Sequence, residues 1–165
     1  MGKTTEDLQE AFAGESQANR KYLAYARQAD KEGYHGVARL FRASAAAETV
    51  HAHAHLGALG GISDTAENLR DAVAGETHEF KSMYPDMIER AQSEGMAAAE
   101  RSFTYANEVE KIHAALYQAA LDQIDNPSDI DCYYVCSVCG NTVENEPPEI
   151  CPICNARARA FERID

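Results

Sequence analysis

Glu48 and His51 stand three positions apart, as do Glu110 and His113, and each pair closes the same longer pattern. The first copy runs Glu32-Gly33, Phe41, Glu48, His51; the second, 62 residues on, runs Glu94-Gly95, Phe103, Glu110, His113. In both, Gly to Phe is 8 positions and Gly to Glu is 15, and Arg39 and Arg101 each fall 6 positions after the glycine. Residues i and i+3 share a helix face, so each pair can offer a carboxylate and an imidazole to one point. One such pair is weak evidence for a metal; two in a repeated register are strong.

More carboxylates join them. Glu15 lies in Ala11-Phe12-Ala13-Gly14-Glu15-Ser16, a small and otherwise apolar helix face, and Glu48 follows Ala45-Ala46-Ala47. A carboxylate on a packing face is costly unless a cation or a hydrogen-bonded partner meets it. Glu76 and Glu79 again stand at i and i+3. The candidate ligand set is therefore Glu15, Glu48, His51, Glu76, Glu79, Glu110 and His113, and Glu-x-x-His on two helices with Glu on two others is the set of di-iron carboxylate bundles. Five carboxylates and two imidazoles favour two iron or manganese ions over zinc. A lone glutamate on a helix is ordinarily a solvated surface residue, but the bland reading does not cover the repeated set. His53 and His55 read as surface or supporting residues, although His55 is seven past Glu48 and on its face. Tyr22, seven past Glu15, and Tyr84, five past Glu79, are candidates to hydrogen-bond ligand carboxylates, with ordinary packing as the alternative.

A second metal signal sits near the end of the chain. All five cysteines fall between 132 and 154, four of them as Cys136-Ser137-Val138-Cys139 and Cys151-Pro152-Ile153-Cys154. Two such knuckles place four thiolates around one ion, and Gly140 and Asn155 suit the positive φ that the turns need. Tetrahedral sulfur serves zinc or iron equally, so a structural zinc ribbon and a redox iron both stay open. Cys132 has no partner in the pattern and reads as a bystander.

The elements that must position these groups are helices. Apolar 3–4 spacing predicts a first helix over 4–31, ended by Gly33, and a second over about 35–59, ended by Gly60-Gly61. Asp64-Thr65-Ala66-Glu67 resembles a capping box and starts a third, running to about 93, within which Pro85 should bend the helix or interrupt its hydrogen bonding. Gly95 precedes a fourth helix over about 97–125, and Asn126-Pro127-Ser128-Asp129 is a plain linker. Gly33 lies roughly midway between Glu15 and Glu48, and Gly95 between Glu79 and Glu110, so each hairpin folds its ligands to one depth. The reading is an all-α four-helix bundle over 1–127 followed by a small four-cysteine metal domain over 132–165.

Charge excludes one class of function. The chain has 15 Lys and Arg against 27 Asp and Glu, a net charge of −12, which repels phosphate backbones and argues against nucleic-acid binding. No apolar run approaches membrane-spanning length and no signal-peptide core opens the chain, so a cytoplasmic location without membrane attachment is expected. In a reducing compartment paired Cys-x-x-Cys means metal rather than disulfide.

Over essentially its whole length the chain resembles rubrerythrin, a ferritin-like di-iron bundle followed by a rubredoxin-like iron domain. The matching pieces are Ala11–Ser16 around Glu15, Ala47-Glu48-Thr49-Val50-His51-Ala52, Gly75-Glu76-Thr77-His78-Glu79, Met83-Tyr84-Pro85, Glu110-Lys111-Ile112-His113 and the two cysteine knuckles. The extra third-helix carboxylate is a hallmark that separates this family from ordinary ferritins. The resemblance implies a hydrogen peroxide reductase holding two irons in the carboxylate site and one iron in the four-cysteine site. It also implies an external electron donor, a rubredoxin or a reductase, and a homodimer in which the cysteine-bound iron serves the partner's di-iron site. Glu79 is then a candidate for ligand exchange and proton relay. Rival readings are a ferroxidase that uses oxygen, and an iron-binding protein with a structural zinc ribbon.

One feature of the spacing bears on assembly. If the two hairpins pack with the pseudo-twofold symmetry of their repeat, helices two and three run parallel. A helix of 25–29 residues is about 40 Å long, and the four residues Gly60–Ser63 span at most about 14 Å. One chain then cannot close the site, and a dimer with swapped helical hairpins is expected: Glu15, Glu48 and His51 from one chain, Glu76, Glu79, Glu110 and His113 from the other. A plain up-down-up-down bundle is the alternative.

Overall fold

The computed structural model describes residues 2–126 and 130–165. Of the linker read at 126–129, all but Asn126 lies outside the described residues. Contacts divide the chain into two compact units, Met1–Ser63 and Asp64–Asp165.

The first unit is a hairpin of α1 (Lys3–Lys31) and α2 (His35–Ala58). The two helices pack through alanine: Ala26 and Ala29 on α1 are buried, and Ala38, Ala45 and Ala52 form a stripe spaced by two turns on α2. Side chains this small let the backbones approach closely, and Asn19 uses the proximity. Its amide donates to the Ala45 carbonyl at 2.6 Å and to the Thr49 hydroxyl at 2.8 Å, tying the helices one turn from Glu15 and beside Glu48. Gly33 turns the chain at φ +84°, with its N–H on the Asp30 carbonyl and the Tyr34 N–H on that of Ala29. This is a Schellman cap, whose left-handed position favours glycine.

The second unit repeats the design. Asp64 caps α3 (Thr65–His78) by accepting from the Glu67 N–H at 2.9 Å, as the sequence signal implies. The expected single third helix is then broken by a π-helical turn, Glu79–Met83, before α4 (Tyr84–Ser93) continues. Pro85 supplies no N–H to the carbonyl four residues back, and the backbone accommodates it by widening the turn just before the proline. The Tyr84 N–H accordingly donates to the Glu79 carbonyl, five residues back. Gly95 (φ +67°) makes the same cap as Gly33, through Gln92 and Ala91. From there α5 runs Ala97–Asp122, ending three residues before the expected boundary in a turn closed by the Asn126 N–H on the Gln123 carbonyl. The repeat also pairs aromatic rings: Tyr22 lies 6.1 Å from Phe41, and Tyr84 lies 6.3 Å from Phe103.

After the helices comes a three-stranded antiparallel sheet of order β2-β1-β3, from β1 (Tyr133–Cys136), β2 (Thr142–Glu144) and β3 (Phe161–Ile164). Its core is Cys136, Cys151 and Phe161, with Tyr134, Val143 and Ile153 against them. A core this small needs a metal or crosslink to hold it. Four helical rods and a terminal strand module thus match the ferritin-like and rubredoxin-like fold expected. Among the described residues no helix is long and apolar enough to cross a membrane.

Candidate metal centres

The two units carry matching half-sites. In the first, His51 Nδ1 lies 3.0 Å from Glu48 Oε2 and 3.9 Å from Glu15 Oε2. In the second, His113 Nδ1 lies 2.7 Å from Glu110 Oε2 and 3.9 Å from Glu76 Oε1. Each group gathers its three donor atoms within 4.8 Å of one another. Helix spacing produces this directly, because Glu-x-x-His fills one face of α2 or α5 while α1 or α3 presents its glutamate across the hairpin.

The carboxylates of each cluster repel one another. Glu15 holds its proton more tightly than a free glutamate, chiefly through its hydrogen-bonding contact with the Glu48 carboxylate. Burial raises Glu76, helped by the charge of Glu110, and burial raises Glu79, helped by the charge of Glu76. Carboxylates that crowd one another favour either protons or a bound cation. Oxygen and imidazole donors in this ratio fit iron or manganese. Glu79 stands outside the tight Glu76–Glu110–His113 cluster, at the first residue of the π turn, within reach of their charges.

The tyrosines divide. The ring of Tyr22 packs against Phe41 and also lies 6.3 Å from Tyr25. Tyr84 faces the carboxylates: burial first, then the charges of Glu79, Glu110 and Glu76, raises its pKa and keeps the phenol protonated. His53 is exposed and His55 partly buried, and neither belongs to a donor cluster among the described residues.

The four cysteines converge as their spacing requires. Cys136 and Cys154 sulfurs are 3.7 Å apart, and those of Cys139 and Cys151 are 3.6 Å apart. A tetrahedron with metal–sulfur bonds of about 2.3 Å has edges of about 3.8 Å, so the thiols already outline it. Both knuckles close alike, with the Gly140 N–H on the Cys136 carbonyl and the Asn155 N–H on that of Cys151, at φ +87° and +60°. Burial opposes ionisation of Cys151, yet the backbone N–H groups of Cys154 and Ile153 bring it down to about 7, while burial pushes Cys139 well up. Cys132 is buried apart from the cluster, its thiol 3.8 Å from the Asn145 carbonyl.

Three residues here had no signal in the motif reading. Asn19 braces the first half-site. Asn141, buried, donates to Cys151 Sγ at 3.7 Å, the kind of contact that tunes a thiolate-held ion. Thr142 lies 2.9 Å from His113 Nε2.

Residues 6–121 match the family model described as rubrerythrin, and residues 134–162 match that of the rubrerythrin rubredoxin-like domain. Rubrerythrin-2 of Clostridium acetobutylicum is 38% identical, with 96% of this chain and 95% of the relative covered. Nigerythrin of Nitratidesulfovibrio vulgaris is also 38% identical, over 93% of this chain and 83% of the relative. The solved structure of nigerythrin in a mixed-valence state superposes with a TM-score of 0.59 at 36% identity, covering 99% of this chain and 88% of that one. Its fully reduced, all-ferrous form gives 0.60 at 35%.

Proposed function

This chain belongs to the rubrerythrin family, and from that premise we propose that it reduces hydrogen peroxide to water. The observation that carries the reading is the duplicated half-site, with His–Glu contacts of 3.0 and 3.9 Å in one unit and 2.7 and 3.9 Å in the other. Glu15, Glu48, His51, Glu76, Glu79, Glu110 and His113 would hold two irons, and Cys136, Cys139, Cys151 and Cys154 would hold a third. When bound, the pair supplies the two electrons that peroxide needs at once, and the thiolate-held iron supplies single electrons from a rubredoxin or reductase.

The chain's own residues handle position and protons. Glu79, whose carboxyl holds a proton more tightly than usual, is suited to deliver one to a departing oxygen. Tyr84, kept protonated beside the same carboxylates, offers its Oη hydrogen as a second donor. Tyr22, its ring packed on Phe41, is the matching candidate donor in the first unit.

We assign the helices over 1–127 to the di-iron bundle and 132–165 to the iron module, in a cytoplasmic homodimer. The reading pairs the first hairpin of one chain with the second of its partner, because a link of four residues is too short for a helix-length return.

The test uses the full chain loaded with iron and reduced without air. Mixed with hydrogen peroxide in a stopped-flow instrument, it should reoxidise at least about tenfold faster than with dissolved oxygen. Equal or faster reoxidation by oxygen would instead make it a ferroxidase, and zinc at the cysteines would remove the relay.

A further inference from the structure

Thr142 stands on β2, three residues past Cys139, and its one hydroxyl makes two contacts. It donates to the Gly140 carbonyl at 3.1 Å, and its oxygen lies 2.9 Å from His113 Nε2. A hydroxyl has a single proton to give. With that proton on Gly140, the contact with His113 requires Nε2–H as the donor. That leaves Nδ1, hydrogen-bonded to Glu110 Oε2 at 2.7 Å and 3.9 Å from Glu76 Oε1, as the ring atom whose proton a cation would replace. With a cation in place of that proton, Nδ1 and the two carboxylates would be its donors, and a metal-binding histidine is ordinarily fixed through its other nitrogen in this way.

The companion half-site is built differently. His51 has 56% of its side chain exposed against 27% for His113, and among the described residues the one hydrogen bond of its ring is to Glu48. Thr142 is also tied to the state of the cysteine module. Gly140 belongs to the first knuckle, its N–H bonded to the Cys136 carbonyl at 2.8 Å, and it sits over the buried Val109 of α5, one residue before Glu110.

We infer that Thr142 is a positioning residue of the Glu76–Glu110–His113 half-site: it selects Nδ1 of His113 as the ligating atom and, through Gly140, makes that selection depend on the folded cysteine knuckle. The inference rests on the metal-binding reading above and adds an order of assembly, in which filling the cysteine site tightens the half-site beside it.

The test is anaerobic ferrous-ion titration, by calorimetry, of the full chain with its cysteine site already filled. Thr142→Val, which keeps the shape and loses the hydroxyl, should bind ferrous ion at the carboxylate sites about 10–100-fold more weakly. Thr142→Ser should stay within about twofold of the parent, with the thiolate absorption unchanged in both variants. Parent-like affinity in Thr142→Val, or a loss in Thr142→Ser as large as in Thr142→Val, overturns the inference. A parent chain that takes up no ferrous ion at these sites overturns the metal-binding reading itself, which the variants alone cannot do.

Discussion

The Tyr84 N–H donates to the carbonyl of Glu79, five residues back, so the third helical rod carries one extra residue in the turn between them. That wider turn lies between Glu79 and Tyr84, so it sets where Tyr84, whose phenol feels the charges of Glu79, Glu110 and Glu76, stands relative to Glu79. Deleting Lys81 should collapse the turn to an α-helix and let the flanking segments keep their register. Helical content is expected to survive, whereas peroxide turnover should fall about 100-fold as Glu79 and Tyr84 lose their relative placement. Circular dichroism beside peroxide consumption checks this; parent-like turnover would deny the π turn a role.

Proton and metal compete for the same carboxylates. Glu15, Glu76 and Glu79 are all raised above the ordinary 4.5, the first mainly by its contact with Glu48 and the others mainly by burial. A carboxyl raised in the folded state stabilises the metal-free fold fully below the unfolded value, and that contribution is lost as pH rises through the folded value. A bound cation offsets both the cost of a buried charge and the repulsion between neighbouring carboxylates. The gain in thermal midpoint on adding manganous ion should therefore widen from about pH 5 to about pH 7. A gain that is flat or narrows across that range contradicts the assignment.

Asn19 supports the first half-site through two hydrogen bonds across the hairpin. Asn19→Ala should cost about 1–1.5 kcal/mol, the net worth of its hydrogen bonds across the hairpin, since the Ala45 carbonyl keeps the Thr49 hydroxyl at 3.1 Å. Ser16→Ala is the comparison: among the described residues its hydroxyl bonds only the Phe12 carbonyl within α1, and its loss should cost about 0.5 kcal/mol or less. Denaturant unfolding of both variants measures the difference, and equal costs would remove the special role of Asn19.

Much of this architecture is legible in the residues because the chemistry repeats. Glu-x-x-His at matched distance from a glycine marks both ligand faces and both turns, and the two glycines do adopt the same left-handed cap. The knuckle glycine and Asn155 announce their positive φ in the same local way. What stays hidden depends on distance in sequence or on a choice among backbone responses. Pro85 declares a missing donor but not that the turn ahead of it widens. Thr142 meets a histidine 29 residues away, and no local pattern marks it. Asn19 sits among apolar helix positions, where its bond to Ala45 follows only from how closely the alanine stripe lets α1 and α2 approach.

Assembly has a genetic test. One chain carries Glu48→Ala with His51→Ala, and a second carries Glu110→Ala with His113→Ala. Each alone should lack an intact carboxylate site. Refolded together as swapped dimers, they form one site from two undamaged halves beside one site from two damaged halves. Mixed samples should recover peroxide turnover toward about half of the parent's per heterodimer. No recovery on mixing, with heterodimers present by mass spectrometry, would mean that each chain closes its own site.

The proposed peroxide reduction needs two coupled irons on the carboxylate and imidazole ligands and a third on the four cysteines. Mössbauer spectroscopy of the oxidised, iron-loaded full chain addresses it most directly. Two signals are expected: a magnetically coupled, oxygen- and nitrogen-bound ferric pair, and half as much iron in a four-sulfur environment. Iron in the sulfur cage with only isolated ferric ions elsewhere, or none, would contradict it.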